Sequence, residues 1–302
     1  MGIYIYIYIY MKIAVCVHLY HYDMWEQIKE YLNNLQFDYK LIVNLPAKNE
    51  NNIPYDFDWD FYVNYYTDLK NVGKDNYDKA INHYLKYGEK EGRVFSKKNQ
   101  IITEKIKEYK NDVKILISPN KGMDIGGFLY TYQSLNNEFD LLLKIHTKKG
   151  LGDEKNQSII SRRLGVDEAK KIGLLWFNNL MSGVLKNKQQ VNKIIETFRT
   201  NPKCGMVGFQ QYNNFHKNIN IMNDILPKIG ILNHLEQTKF VGGTIFWVSN
   251  EVLKPYLTEK NLDYLFSLLP YGYVCEPSVN HAMERIFGSF VYNENKELMI
   301  IN

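Results

Sequence analysis

Apolar residues fall along the chain in two alternating patterns, short continuous runs of strand type and longer stretches at helical spacing. KIAVCVHLY, from Lys12, is a short β-branched run of buried-strand type, and MWEQIKEYLNNL sets Trp25, Ile28, Tyr31, Leu32 and Leu35 at helical spacing. DYKLIVNLP follows as a second strand closed by Pro46. Together they make a β-α-β unit, whose right-handed crossover favours a parallel pair. From about Asn51 to Lys97 the rhythm breaks: FDWDFYVNYYTDL and YDKAINHYLKYGEKEGRVF read as helices with Gly73 and Gly88 as stops. It resumes with ITEKIKEYKN as helix, DVKILISPN as strand, GGFLYTYQSL as a helix after a glycine-bearing loop, and DLLLKIHTKK as a buried-type strand entering a basic loop.

The second half is less regular. Two helices lie between about Asp167 and Arg199, broken near Gly183 to Asn187; CGMVGF is a short strand, and Asn213 to Asn223 is polar and loop-like. FVGGTIFWVS reads as a strand with a double glycine at its start, SNEVLKPYL and NLDYLFSLL as helices, and HAMERIFG as a short helix. Nothing repeats at a fixed period, which excludes a solenoid. The pattern predicts an α/β fold: a Rossmann-like, mostly parallel sheet flanked by helices, carrying a small helical insertion. In such sheets ligands bind beyond the carboxyl ends of the strands. The expected organisation is a low-complexity leader at 1–10, a main domain from 11–50 and 98–302, and the insertion at 51–97. That insertion is either a hairpin packing its own aromatic core or a module for docking an acceptor or partner.

Met1 to Tyr20 is long enough to imitate a membrane span. Its Ile/Tyr alternation has period two, Lys12 sits near its middle and no basic region precedes it, so it reads as neither anchor nor signal peptide. The domain is expected to begin at Met11, with the true start at Met1 or Met11 left open.

Composition narrows the function classes. In 302 residues, 37 basic and 33 acidic side chains leave a net charge of +4, too even for a protein that grips nucleic acid or an anionic membrane. At 45% hydrophobic and 23% charged the chain is globular material, and broad disorder is excluded. The 24 tyrosines travel with heavy Asn, Lys and Ile use, the signature of an AT-rich coding sequence more than of a function. Cys16, Cys204 and Cys275 show no C-x-x-C spacing, which argues against a disulfide framework or zinc site and for a reducing, cytoplasmic compartment.

Three segments could carry chemistry. Asn120 to Gly127, NKGMDIGG, lies between a strand end and a helix start, where glycines admit a ligand and free N–H groups favour an anion such as a diphosphate. It lacks the endings of a P-loop or a G-x-G-x-x-G, and a tight turn with Asp124 as N-cap fits as well. Lys144 to Lys149, KIHTKK, could neutralise phosphates, or could be a solvated basic loop around His146. Within CEPSVNHAMER, Glu276, His281, Glu284 and Arg285 could form a general base with its neighbours, or a salt bridge that pins a helix.

The set NKGMDIGGF, DLLLKIHTKK, NPKCGMVGF, FVGGTIFWVSNEVLKP and HAMERIFG, in this order, resembles the rhamnan synthesis protein F family of polysaccharide glycosyltransferases. The resemblance runs over nearly all the chain from Met11 onward, apart from the insertion. It implies a GT-A type layout, in which the loop after the third strand, here Asn120, Gly122, Asp124 and Gly126, holds the nucleotide. In the wider family the next strand ends in Asp-x-Asp on a divalent metal; here that place reads Lys-Ile-His-Thr-Lys, which puts Mg or Mn dependence in doubt. Asp124 is the single early metal candidate, and His146, Lys148 and Lys149 can offset diphosphate charge instead. Gly242 and Gly243 match the segment under the donor sugar, and Trp247 could stack on a pyranose or fill the core. HAMER stands where related transferases carry a catalytic base, making Glu284 the first candidate, Glu276 the second, and His281 and Arg285 their neighbours in the site.

The resulting expectation is transfer of a sugar, rhamnose or another deoxyhexose, from a dTDP, UDP or GDP donor to a glycan hydroxyl with inversion. No nucleic acid or membrane span is expected, and peripheral membrane association stays open. A catalytically inactive nucleotide-sugar or glycan-binding module is the alternative. An epimerase is disfavoured because no dinucleotide fingerprint occurs near His18 to Asp23.

Overall fold

The computed structural model describes residues 11–69, 77–149, 165–213, 217–232 and 239–301. Its centre is a seven-stranded sheet: β1 (Ile13–His18), β2 (Lys40–Lys48), β3 (Lys114–Pro119), β4 (Leu141–His146), β5 (Cys204–Gly208), β8 (Phe246–Ser249) and β9 (Glu297–Met299). The order is β3-β2-β1-β4-β8-β5-β9, parallel throughout except for β8, which runs antiparallel to both β4 and β5. The fold is therefore the α/β, Rossmann-like arrangement expected from the alternating rhythm. A two-stranded antiparallel ribbon, β6 (Gln211–Tyr212) with β7 (Phe240–Val241), stands apart from the sheet.

Strand alternation sorts side chains between the two faces. Ala14 and Cys16 of β1, Leu142 of β4, and Phe246 and Val248 of β8 pack on one side, beneath α5 (Met123–Gln133) and the C-terminal helix Val279–Asn293. Val15 and Val17, Leu143 and Ile145, and Trp247 pack on the other. There they meet α1 (Trp25–Leu32), α4 (Lys97–Tyr109) and the helices Val166–Leu185 and Lys188–Thr200. β1 and β4 are buried along their whole length, as strands covered on both faces must be. Between β2 and α4 the chain forms α2 (Trp59–Tyr65) and α3 (Tyr77–His83), which continues into a π-turn at Tyr84–Gly88. Tyr62, Val63, Tyr84 and Phe95 make a third apolar cluster there, and the Lys48–Glu89 ion pair ties it to the end of β2. Among the described residues no helix is long and apolar enough to cross a membrane. The three cysteines are free.

Several boundaries differ from those read in the sequence. Pro46 lies inside β2, at the register irregularity between Leu45 and Lys48, a place in a strand where a residue without an N–H is tolerated. Within the segment read as polar loop, Ile219–Ile225 is helical: Ile219, Met222 and Ile225 recur at a helical interval that the surrounding asparagines conceal. FVGGTIFWVS is two strands, β7 and β8, with the double glycine in the turn between them. SNEVLKPYL contributes one helical turn, Asn250–Leu253, and HAMERIFG belongs to a longer helix, Val279–Asn293. The Met1–Tyr10 leader and the Gly73 stop lie outside the described residues.

Candidate active site

The parallel strands end on a cleft of about 310 Å³. One wall comes from the start of α5, a second from the loop after β4 and the β7–β8 turn, and a third from the C-terminal helix.

The first wall differs from the expected loop, because α5 already begins at Met123. Gly122 is its N-cap, with φ 71°, so Asp124, Gly126 and Gly127 stand in the first helical turns and Asp124 is not the cap. The glycines are required by close approach: a Cβ on Gly126 would lie 1.8 Å from the Lys121 carbonyl, and one on Gly127 would lie 2.0 Å from His18 Nδ1. The helix can therefore lie against the strand ends and carry Asp124 into the cleft. Gly126 thus serves packing, and Asn120 makes backbone bonds to Lys48 and Gly272 away from the cleft lining.

Behind this wall lies Lys144, 1% exposed, on the same face of β4 as His146. Its ammonium donates to Asp124 Oδ2 at 2.7 Å, to the Thr244 carbonyl at 2.8 Å and to Thr244 Oγ1 at 3.1 Å, which uses all three of its protons. Thr244 Oγ1 in turn donates to Asp124. Burial alone would raise the Asp124 carboxyl, but His146, Lys144 and the hydrogen bonds from Lys144 and Thr244 outweigh it and hold the group well below the usual carboxylate range. Burial lowers Lys144 in turn, against the attraction of Asp124. Thr244 has φ 50°, uncommon for a β-branched residue, and its polar contacts with Lys144, Asp124 and His146 accompany that conformation. His146 donates from Nε2 to the Gly243 carbonyl at 2.8 Å, and burial pushes its imidazole down against the pull of Asp124. Lys144 and Thr244 both bond the Oδ2 atom of Asp124. Among the described residues no three His, Cys, Asp or Glu side chains gather as a metal-binding group.

The two lysines that follow β4 part company. Lys148 lines the cleft, whereas Lys149 is exposed and pairs with Asp23 outside it. Trp247 also lies outside the cleft lining: its register with Leu143 turns it to the opposite face of the sheet, where it is fully enclosed and donates from Nε1 to the Val184 carbonyl at 3.1 Å. The cleft takes its aromatic surface instead from Trp176, Tyr212 and Phe240, none of which sequence reasoning singled out.

On the C-terminal helix, capped by Ser278, Glu284 faces the cleft with one carboxylate oxygen on the Gly243 N–H at 2.5 Å. Its other oxygen accepts from Arg285 at 3.1 Å. Burial raises the Glu284 carboxyl above its ordinary range, opposed by the Gly243 N–H, Arg285 and Lys148. Arg285 also donates to Glu276 Oε1 at 2.7 Å and to the His281 carbonyl at 2.7 Å, and its guanidinium lies 4.8 Å from the Phe240 ring centre. Glu276 stands behind Arg285, outside the cleft lining, and also accepts from Asn218 Nδ2 at 2.6 Å. His281 lines the cleft and shares a hydrogen bond with Ser278 Oγ; burial lowers its imidazole against the pull of Glu276. The structure therefore gathers Asp124, His146, Lys148, Gly243, His281, Glu284 and Arg285 at one cleft, and leaves Asn120, Gly122, Gly126, Lys149, Trp247 and Glu276 outside its lining.

No curated protein and no solved structure matches the chain. A family model described as rhamnan synthesis protein F matches residues 93–296, a span that holds all five segments on which the resemblance rests and every cleft-lining residue. β1, α1, β2, α2 and α3 precede the match, so it is narrower than the resemblance suggested. The family's description ties it to polysaccharide synthesis, a glycosyltransferase-like role. More than half of the chain lies within the match, and the chain belongs to the rhamnan synthesis protein F family.

Proposed function

We propose that the protein is a glycosyltransferase that moves a sugar, rhamnose or another deoxyhexose, from a nucleoside-diphosphate donor to a hydroxyl of a growing glycan, with inversion. The observation that carries this reading is the placement of Glu284. Its carboxylate faces the cleft, one oxygen is anchored to a backbone N–H, and burial has raised its affinity for a proton. A carboxylate so placed can take the proton of an acceptor hydroxyl as that oxygen attacks the anomeric carbon. Direct displacement needs no enzyme nucleophile; one carboxylate and a cationic group for the leaving diphosphate suffice. Lys148 is suited to the second role, since it lines the cleft and makes no ion pair among the described residues. The sheet order, with one antiparallel strand beside β4, supports a GT-A type layout.

Because Asp124 is engaged by Lys144, we read charge neutralisation at the diphosphate as the work of side-chain cations rather than of a divalent ion on Asp124. The same engagement favours the second reading, a nucleotide-sugar or glycan-binding module without turnover. Transfer assayed over a panel of nucleotide sugars, with and without EDTA, separates the two. Glu284→Gln is expected to cut turnover by about 10²–10⁴-fold while donor affinity changes little. Turnover surviving that change places the base elsewhere.

A further inference from the structure

Asn280 stands in the first turn of the C-terminal helix, lines the cleft and is 2% exposed. Neither its Oδ1 nor its Nδ2 has a hydrogen-bond partner among the described residues. A buried amide with both ends unmet is costly, and folded chains keep few such groups. Its neighbours are satisfied: Ser278 bonds His281, and Arg285 bonds Glu276, Glu284 and the His281 carbonyl. Other buried side chains also lack a partner, Ser289 on the same helix among them, but of those among the described residues Asn280 is the one that lines the cleft.

We propose that Asn280 reads the sugar in this cleft, its Oδ1 accepting from one hydroxyl and its Nδ2 donating to the adjacent hydroxyl of a pyranose diol. The proposal rests on the reading that a glycosyl group enters here. It follows from the donor and acceptor count. A carboxamide presents one acceptor beside two donors, and vicinal hydroxyls, each able to donate and accept, satisfy both ends at once. A phosphate offers acceptors alone and would leave Oδ1 unmet. Trp176, Tyr212 and Phe240 supply aromatic surface at the same cleft, against which the apolar face of the ring can rest while its hydroxyls turn to the amide.

The test uses the full chain, with Asn280→Leu and Asn280→Asp beside the wild type. UDP-glucose, GDP-mannose and dTDP-rhamnose, together with bare UDP, GDP and dTDP, are titrated calorimetrically. Any sugar nucleotide that binds the wild type is expected to bind Asn280→Leu about tenfold more weakly, the size of one to two lost hydrogen bonds, while the matching bare diphosphate is unchanged. Asn280→Asp keeps an acceptor and falls between. Without ligand, Asn280→Leu is expected to melt at or above the wild-type temperature, because it removes an unpaired buried amide of similar size. A markedly lower melting temperature makes the amide structural and overturns the proposal. Equal loss for a sugar nucleotide and its bare diphosphate assigns Asn280 to the nucleotide and overturns it too. Unchanged sugar-nucleotide affinity removes Asn280 alone, whereas a wild type that binds none of the six ligands removes the glycosyltransferase reading and this assignment with it.

Discussion

Asp124 and Glu284 face one cleft from opposite elements, and their surroundings push their proton affinities in opposite directions. Asp124 is surrounded by the Lys144 ammonium and the Thr244 hydroxyl, so its charge is matched within the protein before any ligand arrives. Glu284 holds one backbone N–H and a single guanidinium contact, and burial makes its ionised form costly. The first arrangement maintains shape: it joins α5, β4 and the β7–β8 turn through one buried lysine. The second suits the proposed base, since a carboxylate with raised proton affinity is better matched to taking a proton near neutral pH. Two acids at one site thus differ in role through what lies behind each of them.

The comparison breaks most visibly in stability. Lys144→Met takes the fully buried cation from the partly buried Asp124 carboxylate and is expected to cost up to about 3–5 kcal/mol in urea unfolding. Adding Asp124→Leu should recover a large part of that loss, because the double variant removes both charges. Glu284→Gln, which keeps an acceptor for Gly243, is expected to stay within about 1 kcal/mol of wild type. A Lys144→Met protein as stable as Glu284→Gln would show that the first wall is no more internally committed than the third.

A smaller effect, opposite in sign at the two acids, appears on titration. The folded pKa of Asp124 is depressed, so its stabilisation is complete above the unfolded value of about 3.9 and is lost as pH falls further. The folded pKa of Glu284 is raised, so folding favours its protonated form, and stability rises as pH falls from neutral through that pKa toward about 4.3. Glu284→Gln should abolish this rise and leave the acid loss in place, as read by denaturation midpoints across pH. In kinetics, the acid limb of kcat/KM should sit above the ordinary Glu range.

How far these features were legible in the sequence depends on whether they are local. Short apolar runs of buried-strand type announced β1, β3 and β4, and the HAMER segment offered Glu284 as a candidate, because strand burial and helix spacing are written in neighbouring residues. The partner of Asp124 was not announced. It depends on β4 placing Lys144 under α5, twenty residues on, and on Thr244 reaching both from a turn after β7. The choice between core and cleft for Trp247 stayed open for a related reason: its face is decided by pairing with Leu143, and nothing within FVGGTIFWVS records that register. Asn280 lay in plain view beside His281, yet its unmet amide exists only in three dimensions.

The smallest expected effect separates the two lysines that the sequence treated as equals. Lys148 lines the cleft and is one of the charges restraining the Glu284 carboxyl, whereas Lys149 pairs with Asp23 at the exposed surface. Lys148→Ala is expected to weaken binding of a nucleoside diphosphate by roughly three- to tenfold, the scale of one charge-assisted contact near solvent. It should also move the acid limb of kcat/KM upward, since a cation that favours ionised Glu284 has gone. Lys149→Ala should change diphosphate affinity by less than about twofold, because an exposed pair contributes little wherever it lies. Calorimetric titration of UDP, GDP and dTDP into the two variants decides between them. Equal losses would return both lysines to one basic loop, and the distinction between charges committed within the protein and charges held for a ligand would no longer extend beyond the two acids.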